Sequence, residues 1–271
     1  MIGQKTLLTT ISHQIKQGTF SRFCIFVGDN GSEKNVLAQE VANLLDANCV
    51  KVLDTSVSTI REIIDESYRV RTLTVYNITD ADGMSVQARN ALLKVTEEPP
   101  NKAYFIMTLE DINNTLPTLK SRASVSYLDP YLPEELTCYV KDKYPGISDV
   151  ELHVVLEICN TPGDVDMLCS YGVEKFYTFV EKVVDNVAEV SGANVFKIGQ
   201  SIKFKETDET GYVLSMFWKT FILVCFNRKQ YSGVLITSQY LAQLRIKSVN
   251  RSMLFDRWIL QIRQEWQDGS K

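Results

Sequence analysis

Short apolar runs alternate with longer amphipathic segments along the first half of the chain. Five of these runs are rich in β-branched and aromatic residues: FCIFVG, CVKVLD, LTVYNI, YFIMTL and SVSYLD. Strands that alternate with helices of this length are typical of a parallel sheet whose crossovers are right-handed. The pattern therefore predicts an α/β domain with a five-stranded parallel sheet that ends near Asp129.

The second half of the chain begins with helical signals and has no strong strand signal. Pro133 has the position of a first helical residue, Pro145-Gly146 ends that helix, and Pro162-Gly163 precedes another short helix. These signals predict a small helical domain at 130–173, which follows the α/β domain at 1–129.

A second helical domain is predicted at 174–271. Apolar residues recur at helical spacing in FYTFVEKVVDNV, YVLSMFWKTFILVCF and SMLFDRWILQIRQEW, with polar breaks near 190–194 and 228–233. The last two of these segments carry more aromatic surface than a small helical unit is expected to hide, and interfaces favour aromatic residues. We therefore expect this domain to join the chain to other proteins, although packing in a core would explain the same residues.

Composition and charge exclude several classes of protein. With 271 residues, 45% of them hydrophobic, and a net charge of -4, the chain is predicted to be globular and to lack an overall basic field for nucleic acid. No apolar run approaches the roughly 18 residues of a membrane span, and no leader pattern opens the chain, so we expect a cytoplasmic protein. The six cysteines form no CxxC pair and mostly lie in apolar runs, which indicates small buried side chains in a reducing compartment.

The segment FVGDNGSEKN has the order of a phosphate-binding loop. A strand-like run leads to Gly28, Gly31 and Lys34, in the order of a Walker A motif. That motif has glycine where this chain has Glu33, and serine or threonine where it has Asn35. Glycine is favoured there because the backbone must approach phosphate closely and can adopt positive φ. The pattern predicts a nucleotide site that is damaged at two positions.

Further polar residues lie at the edge where open α/β sheets gather their ligands. Asp80 ends the third run, where a catalytic carboxylate belongs. Thr108 ends the fourth run, where its hydroxyl could meet a γ-phosphate or its water, or make a local backbone hydrogen bond. Ser121 and Arg122 come just before the fifth run.

One long segment, SVQARNALLKVTEEPPNKAYFIMTLEDINNTLPTLKSRA, carries a specific resemblance. It is similar to the clamp-loader branch of the AAA+ ATPases, whose members share a NALLKxLEEPP stretch and an SRC motif. The matching residues are Asn90 to Lys94, Glu97 to Pro100, and Ser121-Arg122. Ala123 replaces the cysteine of the motif, at a packing position. The similarity covers about residues 1 to 130, and the helical remainder agrees with the family's lid and collar domains in length only.

Within that family, the chain resembles the delta-prime class of bacterial DNA polymerase III subunits. The resemblance implies a spiral of AAA+ subunits, joined by their collars, that opens a sliding clamp and places it on primed DNA. The implied partners are gamma- or tau-like and delta-like subunits, the clamp, and primer-template DNA through the complex. Since each active ATP site of such a complex lies between neighbours, Arg122 is expected to act in trans as an arginine finger while this chain's own loop is idle.

Further departures from the family pattern favour an idle loop. The family places two adjacent acids at 79 and 80, and here the first is Thr79, which weakens the hold on Mg²⁺. Asp80 is one methylene shorter than the usual glutamate, and Asp164 appears near the place of the lid arginine. We expect no cofactor, while weak binding of ATP and Mg²⁺ through Lys34 stays open. The alternatives are an active, divergent, gamma-like ATPase and a delta-type clamp-opening subunit, against which Arg122 argues.

Overall fold

The computed structural model describes residues 2–188, 209–244 and 249–268. The chain divides into two compact units, one formed by Met1–Glu135 with Thr161–Gly163 and the other by Leu136–Asn160 with Asp164–Lys271. The predicted boundary at 173 between two helical domains stays a prediction. The predicted polar break near 190–194 lies outside the described residues.

The first unit is built on a five-stranded parallel sheet, as the alternating pattern predicts. Its strands are β1 Phe23–Val27, β2 Asn48–Val52, β3 Thr74–Ile78, β4 Ala103–Leu109 and β5 Ser124–Tyr127. Their order across the sheet is β2-β3-β4-β1-β5, and each neighbouring pair is parallel. Because β1 is flanked by β4 and β5, the loop that follows β1 leaves from the interior of the sheet.

Helices cover both faces of this sheet. They are α1 Lys5–Lys16, α2 Lys34–Leu44, α3 Val57–Ser67, α4 Val86–Glu97 and the short α5 Pro117–Lys120. Alternate residues of β1 belong to opposite cores: Phe23 and Ile25 pack with α3 and α4, whereas Cys24 and Phe26 pack with α1 and α2. The β1 run is therefore apolar throughout, as expected of a parallel strand buried on both faces.

The second unit is helical throughout its described part. The helices after the sheet are α6 Pro133–Lys143, α7 Asp149–Ile158, α8 Pro162–Tyr171, α9 Val173–Asn186, α10 Glu209–Asn227, α11 Tyr231–Gln243 and α12 Arg251–Asp268. Pro133 is the first residue of α6, as predicted. Pro162 is itself the first residue of α8 and does not merely precede it, because proline at that position loses no helical hydrogen bond.

Helix α11 is not indicated by the sequence pattern. Its first turns contain Gly233 and the β-branched Val234 and Ile236, which lower helix propensity. Tertiary packing outweighs this local preference. Ile236 and Tyr240 are buried, and the Trp258 indole donates a 3.0 Å hydrogen bond to the Thr237 hydroxyl.

The aromatic residues of α10 and α12 form the core of the second unit. Those that are fully buried are Phe217, Trp218, Phe221, Phe255 and Trp258. The rings of Phe221 and Trp258 meet edge to face, with centroids 4.9 Å apart. The expectation that these helices carry more aromatic surface than the unit can hide is wrong for these five residues, and core packing explains them.

The cysteines follow the sequence expectation with one clear exception. All six are free, and Cys24, Cys159 and Cys225 are buried. Burial raises the pKa of the Cys24 and Cys225 thiols to about 12. Cys138 is exposed instead, because α6 buries Leu136 and Val140 and therefore turns residue 138 away from that core. Within the described ranges, none of the helices has the length and apolar character to span a bilayer.

Candidate phosphate loop and arginine site

The loop 28–35 connects the end of β1 to the start of α2. Its first residue, Gly28, donates its N–H to the carbonyl of Leu109 on β4 at 3.1 Å. A Cβ atom at Gly28 would lie 2.7 Å from the Ser32 hydroxyl oxygen, so a side chain there would displace Ser32. Gly31 has a φ of +77°, which glycine adopts at no steric cost. The shape of the loop therefore favours glycine at both predicted positions.

Glu33 takes a backbone conformation that favours glycine. Its φ is +60° and its ψ is +26°, in the left-handed region, and it caps the N-terminus of α2. Such a conformation costs a residue with a side chain about 1–3 kcal/mol. The side chain makes no cap hydrogen bond, and Oε2 is buried with no hydrogen-bond partner among the described residues. A carboxylate thus lies at the helix N-terminus, where phosphate loops receive phosphate.

The Lys34 side chain is turned onto its own loop. It is 6% exposed, and its Nζ donates to the carbonyls of Gly28 and Asp29, both at 2.8 Å. Burial lowers the pKa of this amine, because desolvation disfavours the cation. Four nearby carboxylates oppose that shift: Glu110, Asp80, Asp82 and Asp29.

These carboxylates make the surroundings of Lys34 acidic. Asp29 belongs to the loop, Asp80 and Asp82 follow β3, and Glu110 follows β4. Because β3 and β4 are parallel neighbours, their carboxyl ends lie at one edge of the sheet. Sequence reasoning singled out Asp80 alone, although the position of Asp82 and Glu110 shortly after strands was a usable signal. An anionic ligand at this edge meets one lysine and several carboxylates.

The chain itself satisfies the carbonyl groups of the loop. Residues 28–32 all have a carbonyl oxygen that accepts a hydrogen bond within the first unit. Besides the two bonds from Lys34, they are Thr161 Oγ1 to Asn30 at 3.2 Å, Gly163 N to Gly31 at 3.0 Å, and Tyr131 Oη to Ser32 at 2.9 Å. These bonds fix the shape of the loop through protein groups alone. Sequence reasoning treated residues 162–163 only as a helix boundary and missed this role.

Asn35 contacts a buried asparagine of the sheet. Its Oδ1 accepts a 3.3 Å hydrogen bond from Nδ2 of Asn77, which lies inside β3. Asn77 is buried, and its own Oδ1 has no hydrogen-bond partner among the described residues. This amide pair links α2 to β3. Asn77 was not predicted as a site residue, because its local sequence pattern indicates only that it belongs to a strand.

The residues after β3 make local hydrogen bonds. The Thr79 hydroxyl donates to the carbonyl of Val52 at 3.2 Å, and the Asp80 N–H donates to the Thr108 hydroxyl at 3.0 Å. Thr108 is fully buried and lies one residue before the end of β4. Its hydroxyl therefore makes a local backbone hydrogen bond, which is one of the two roles that the sequence left open for it. The Asp80 carboxylate is exposed.

Asp164, near the predicted place of the lid arginine, has a structural partner in the second unit. Its Oδ2 accepts from the Asn160 N–H at 3.0 Å and from the Lys219 ammonium at 2.9 Å. The residue is buried, so the ion pair compensates the desolvated carboxylate.

Arg122 lies between α5 and β5, and its polar contacts are with its own chain. Its Nη2 is 3.1 Å from Glu97 Oε1, and its Nη1 donates to the Thr118 carbonyl at 3.0 Å. The Ser121 hydroxyl donates to the same carbonyl at 3.1 Å. The structure therefore brings together the two segments that carry the resemblance, because Glu97 ends α4 and Arg122 follows α5.

Asp82 organises the edge of the sheet next to the loop. Its carboxylate accepts from the N–H groups of Glu110 at 2.7 Å and Asp111 at 3.1 Å, and from the Asn114 amide at 2.8 Å. The residue is buried. It therefore holds the turn after β4 in place, a role that its sequence context did not indicate.

We expect Asp82→Asn to lower the free energy of unfolding by about 1–3 kcal/mol, because the amide cannot accept from all three donors and leaves a buried donor unpaired. Urea unfolding measures this change. Asp80→Asn is the matched control, since the Asp80 carboxylate is exposed and asparagine tolerates its φ of +50°. Equal effects of the two changes would contradict the role given to Asp82.

Comparison with known proteins finds sequence relatives in one family. A family model described as DNA polymerase III, delta subunit, matches residues 46–131. The chain is 26% identical over 171 residues to DNA polymerase III subunit gamma of Buchnera aphidicola, which covers 52% of this chain and 47% of that protein. It is 36% identical over 75 residues to DNA polymerase III subunit delta' of Escherichia coli, covering 28% and 22%. The chain thus spans about half the length, or less, of these curated relatives.

Solved structures share the fold. A DNA polymerase III gamma subunit-related protein from Thermotoga maritima aligns with a TM-score of 0.53 and 16% identity over 95% of this chain and 98% of that chain. The RuvB Holliday junction branch migration motor of the same organism aligns with a TM-score of 0.51 and 15% identity, over 75% and 83%. At these identities the structural likeness establishes the fold alone.

The parallel sheet, the loop 28–35 after its first strand and the acids at its carboxyl edge give the chain the fold of AAA+ P-loop domains. Its sequence relatives then narrow the class. Over the matched regions the chain is similar to the gamma, delta' and tau subunits of DNA polymerase III.

Proposed function

We propose that this chain is a delta-prime-like clamp-loader subunit that does not hydrolyse ATP itself. It assembles with gamma- or tau-like and delta-like subunits in the cytoplasm, helps to load a sliding clamp onto primed DNA, and presents Arg122 to the ATP that a neighbouring subunit holds. The observation that carries the proposal is the left-handed backbone conformation of Glu33. It puts a carboxylate where a glycine would let phosphate approach.

The charge of Glu33 works against triphosphate binding. At about 4 Å and an effective dielectric constant near 20, two like charges repel by roughly 4 kcal/mol. This corresponds to about a thousandfold loss of affinity. The other carboxylates near Lys34 act in the same direction, and the amine is already hydrogen-bonded to two carbonyls. The loop therefore favours its internal contacts over an anionic ligand.

The residues at the metal position do not fit Mg²⁺ with ATP. In P-loop proteins the metal is held by a loop hydroxyl and by an acid after a neighbouring strand. Here Asn35 brings an amide whose oxygen accepts from Asn77, and Thr79 brings a hydroxyl that donates to Val52. Both side chains are committed to protein contacts. We therefore assign no hydrolytic step to this loop.

An exposed apolar strip on the second unit supports assembly with other subunits. It consists of Phe226, Tyr231 and Leu235, which are exposed by 60%, 57% and 66%. The rings of Phe226 and Tyr231 pack with centroids 6.4 Å apart, and Leu235 lies one helical turn beyond Tyr231. Contiguous exposed apolar side chains favour protein contacts. We propose that the predicted oligomerisation role of the region 174–271 uses this strip.

The alternative is a divergent but active gamma-like ATPase. The relatives named gamma and tau favour it, since their matches extend over 171 and 152 residues of alignment. A delta-type clamp-opening subunit is the weaker candidate, because Ser121-Arg122 would have no role there. ATP hydrolysis by the isolated chain separates the first alternative from the proposal.

We expect the purified chain to bind ATP with Mg²⁺ no more tightly than millimolar and to release no phosphate above background. Calorimetry and a steady-state phosphate assay measure the two quantities. Lys34→Ala is the control, because it removes the only positively charged side chain of the loop 28–35. Turnover that Lys34→Ala abolishes would establish the active ATPase. Co-purification with a clamp-loader ATPase subunit tests the assembly.

A further inference from the structure

The guanidinium of Arg122 is held by two acceptors of its own chain. One is the carboxylate of Glu97, 3.1 Å from Nη2, and the other is the carbonyl of Thr118, 3.0 Å from Nη1. Glu97 is the last residue of α4, whereas Thr118 lies in α5, so two elements converge on one side chain. Both terminal nitrogens of the planar fork are thereby engaged.

These contacts use the donors that a phosphate group would need. A guanidinium binds phosphate most strongly through two parallel N–H donors. While Glu97 engages Nη2 and Thr118 engages Nη1, each terminal nitrogen already has one acceptor, and an external anion has to compete with both for the fork. The Thr118 carbonyl is neutral, whereas the Glu97 carboxylate also offsets the charge of the arginine. Glu97 is therefore the stronger competitor for Arg122.

We infer that Glu97 restrains Arg122 as a competing acceptor until the ATP of a neighbouring subunit displaces it. This inference rests on the proposed function, because it requires Arg122 to act in trans. Glu97 is then a positioning residue, which touches the arginine and not the nucleotide. The restraint lowers the unstimulated rate of hydrolysis more than the stimulated rate, because clamp and DNA align the subunits so that the phosphate competes well.

The exposure of the pair sets the size of the effect. The side chains of Arg122 and Glu97 are 40% and 56% exposed. Water and salt screen such a pair, so it is far weaker than a buried one. Its contribution corresponds to about a two- to fivefold change in how often Arg122 is free. A restraint that has to yield in every catalytic cycle requires a weak contact of this kind.

The test replaces Glu97 with glutamine in a clamp loader reconstituted with its own partner subunits. Glu97→Gln removes the charge and keeps the size of the side chain. We expect unstimulated ATP hydrolysis to rise about two- to fivefold while the clamp- and DNA-stimulated maximum changes by less than about twofold. Glu98→Gln is the matched control, because it removes the same charge one residue further along. Glu97→Gln combined with Arg122→Ala should hydrolyse at the rate of Arg122→Ala alone.

The outcomes separate this inference from the function on which it rests. If Arg122→Ala leaves the complex fully active, the arginine finger is wrong and the restraint fails with it. If Arg122→Ala lowers hydrolysis while Glu97→Gln matches the wild type or lowers the stimulated rate, the restraint alone is wrong. An increase that persists without Arg122, or that Glu98→Gln reproduces, also overturns it. Co-purification and an unchanged unfolding midpoint confirm that the variants are folded and assembled.

Discussion

Arg122→Ala should lower ATP hydrolysis and clamp loading by the whole complex while this chain stays folded and assembled. A guanidinium is always charged, and it stabilises the charge that develops as the bond to the leaving group breaks. An arginine in this role contributes about 10³ to 10⁵ in rate at a site that depends on it. The complex would lose less than this, because only the site facing this chain is affected. Clamp- and DNA-stimulated hydrolysis with wild-type partners measures the loss.

Two controls separate the shape of the arginine from its charge. Arg122→Lys should restore little activity, because lysine lacks the planar fork. Lys120→Ala removes one positive charge two residues earlier, at an exposed position of α5, and should leave the rate unchanged. Full activity of the Arg122→Ala complex would make Ser121-Arg122 a structural turn only, in which both side chains donate to the Thr118 carbonyl.

The sheet could be predicted from the sequence because a buried parallel strand needs apolar residues on both faces. Phe23 and Ile25 of β1 face one core, and Cys24 and Phe26 face the other, so the run must be continuous. Helix α11 lacked such a signal. Its helical state depends on packing against the neighbouring helices α10 and α12, which outweighs the low propensity of its first turns.

The candidate site could be predicted in part. The Walker A order fixes which residue takes a positive φ, so the damage at Glu33 was visible in the sequence. The contacts that replace ligand binding were not, because they join residues far apart in the chain. Asn77 reaches Asn35 across 42 residues, and Thr161 reaches the Asn30 carbonyl across 131. Such pairs arise from strand order and tertiary packing, which local spacing does not contain.

Restoring the phosphate-loop residues at positions 33 and 35 should have a large effect on ATP affinity. We expect Glu33→Gly with Asn35→Thr to raise ATP affinity by up to about a thousandfold, because the change removes the carboxylate charge and returns the hydroxyl that P-loops offer to Mg²⁺. The gain should fall short of that limit, since the four carboxylates near Lys34 remain: Asp29, Asp80, Asp82 and Glu110. Titration with a fluorescent ATP analogue in the presence of Mg²⁺ measures the affinity.

The restored variant also has a stability readout that does not depend on nucleotide. Glycine at residue 33 relieves about 1–3 kcal/mol of backbone strain, against about 0.5–1 kcal/mol for its greater freedom in the unfolded chain, so stability should hold or rise. Glu40→Gln is the matched control, because it removes the same charge from α2 outside the loop. Unaltered affinity in a stable variant would mean that the remaining carboxylates and the hydrogen-bonded carbonyls of residues 28–32 exclude nucleotide. The loop would then have a structural role only. Glu33 would be tolerated because the loop binds no nucleotide, and would not be the reason that it binds none.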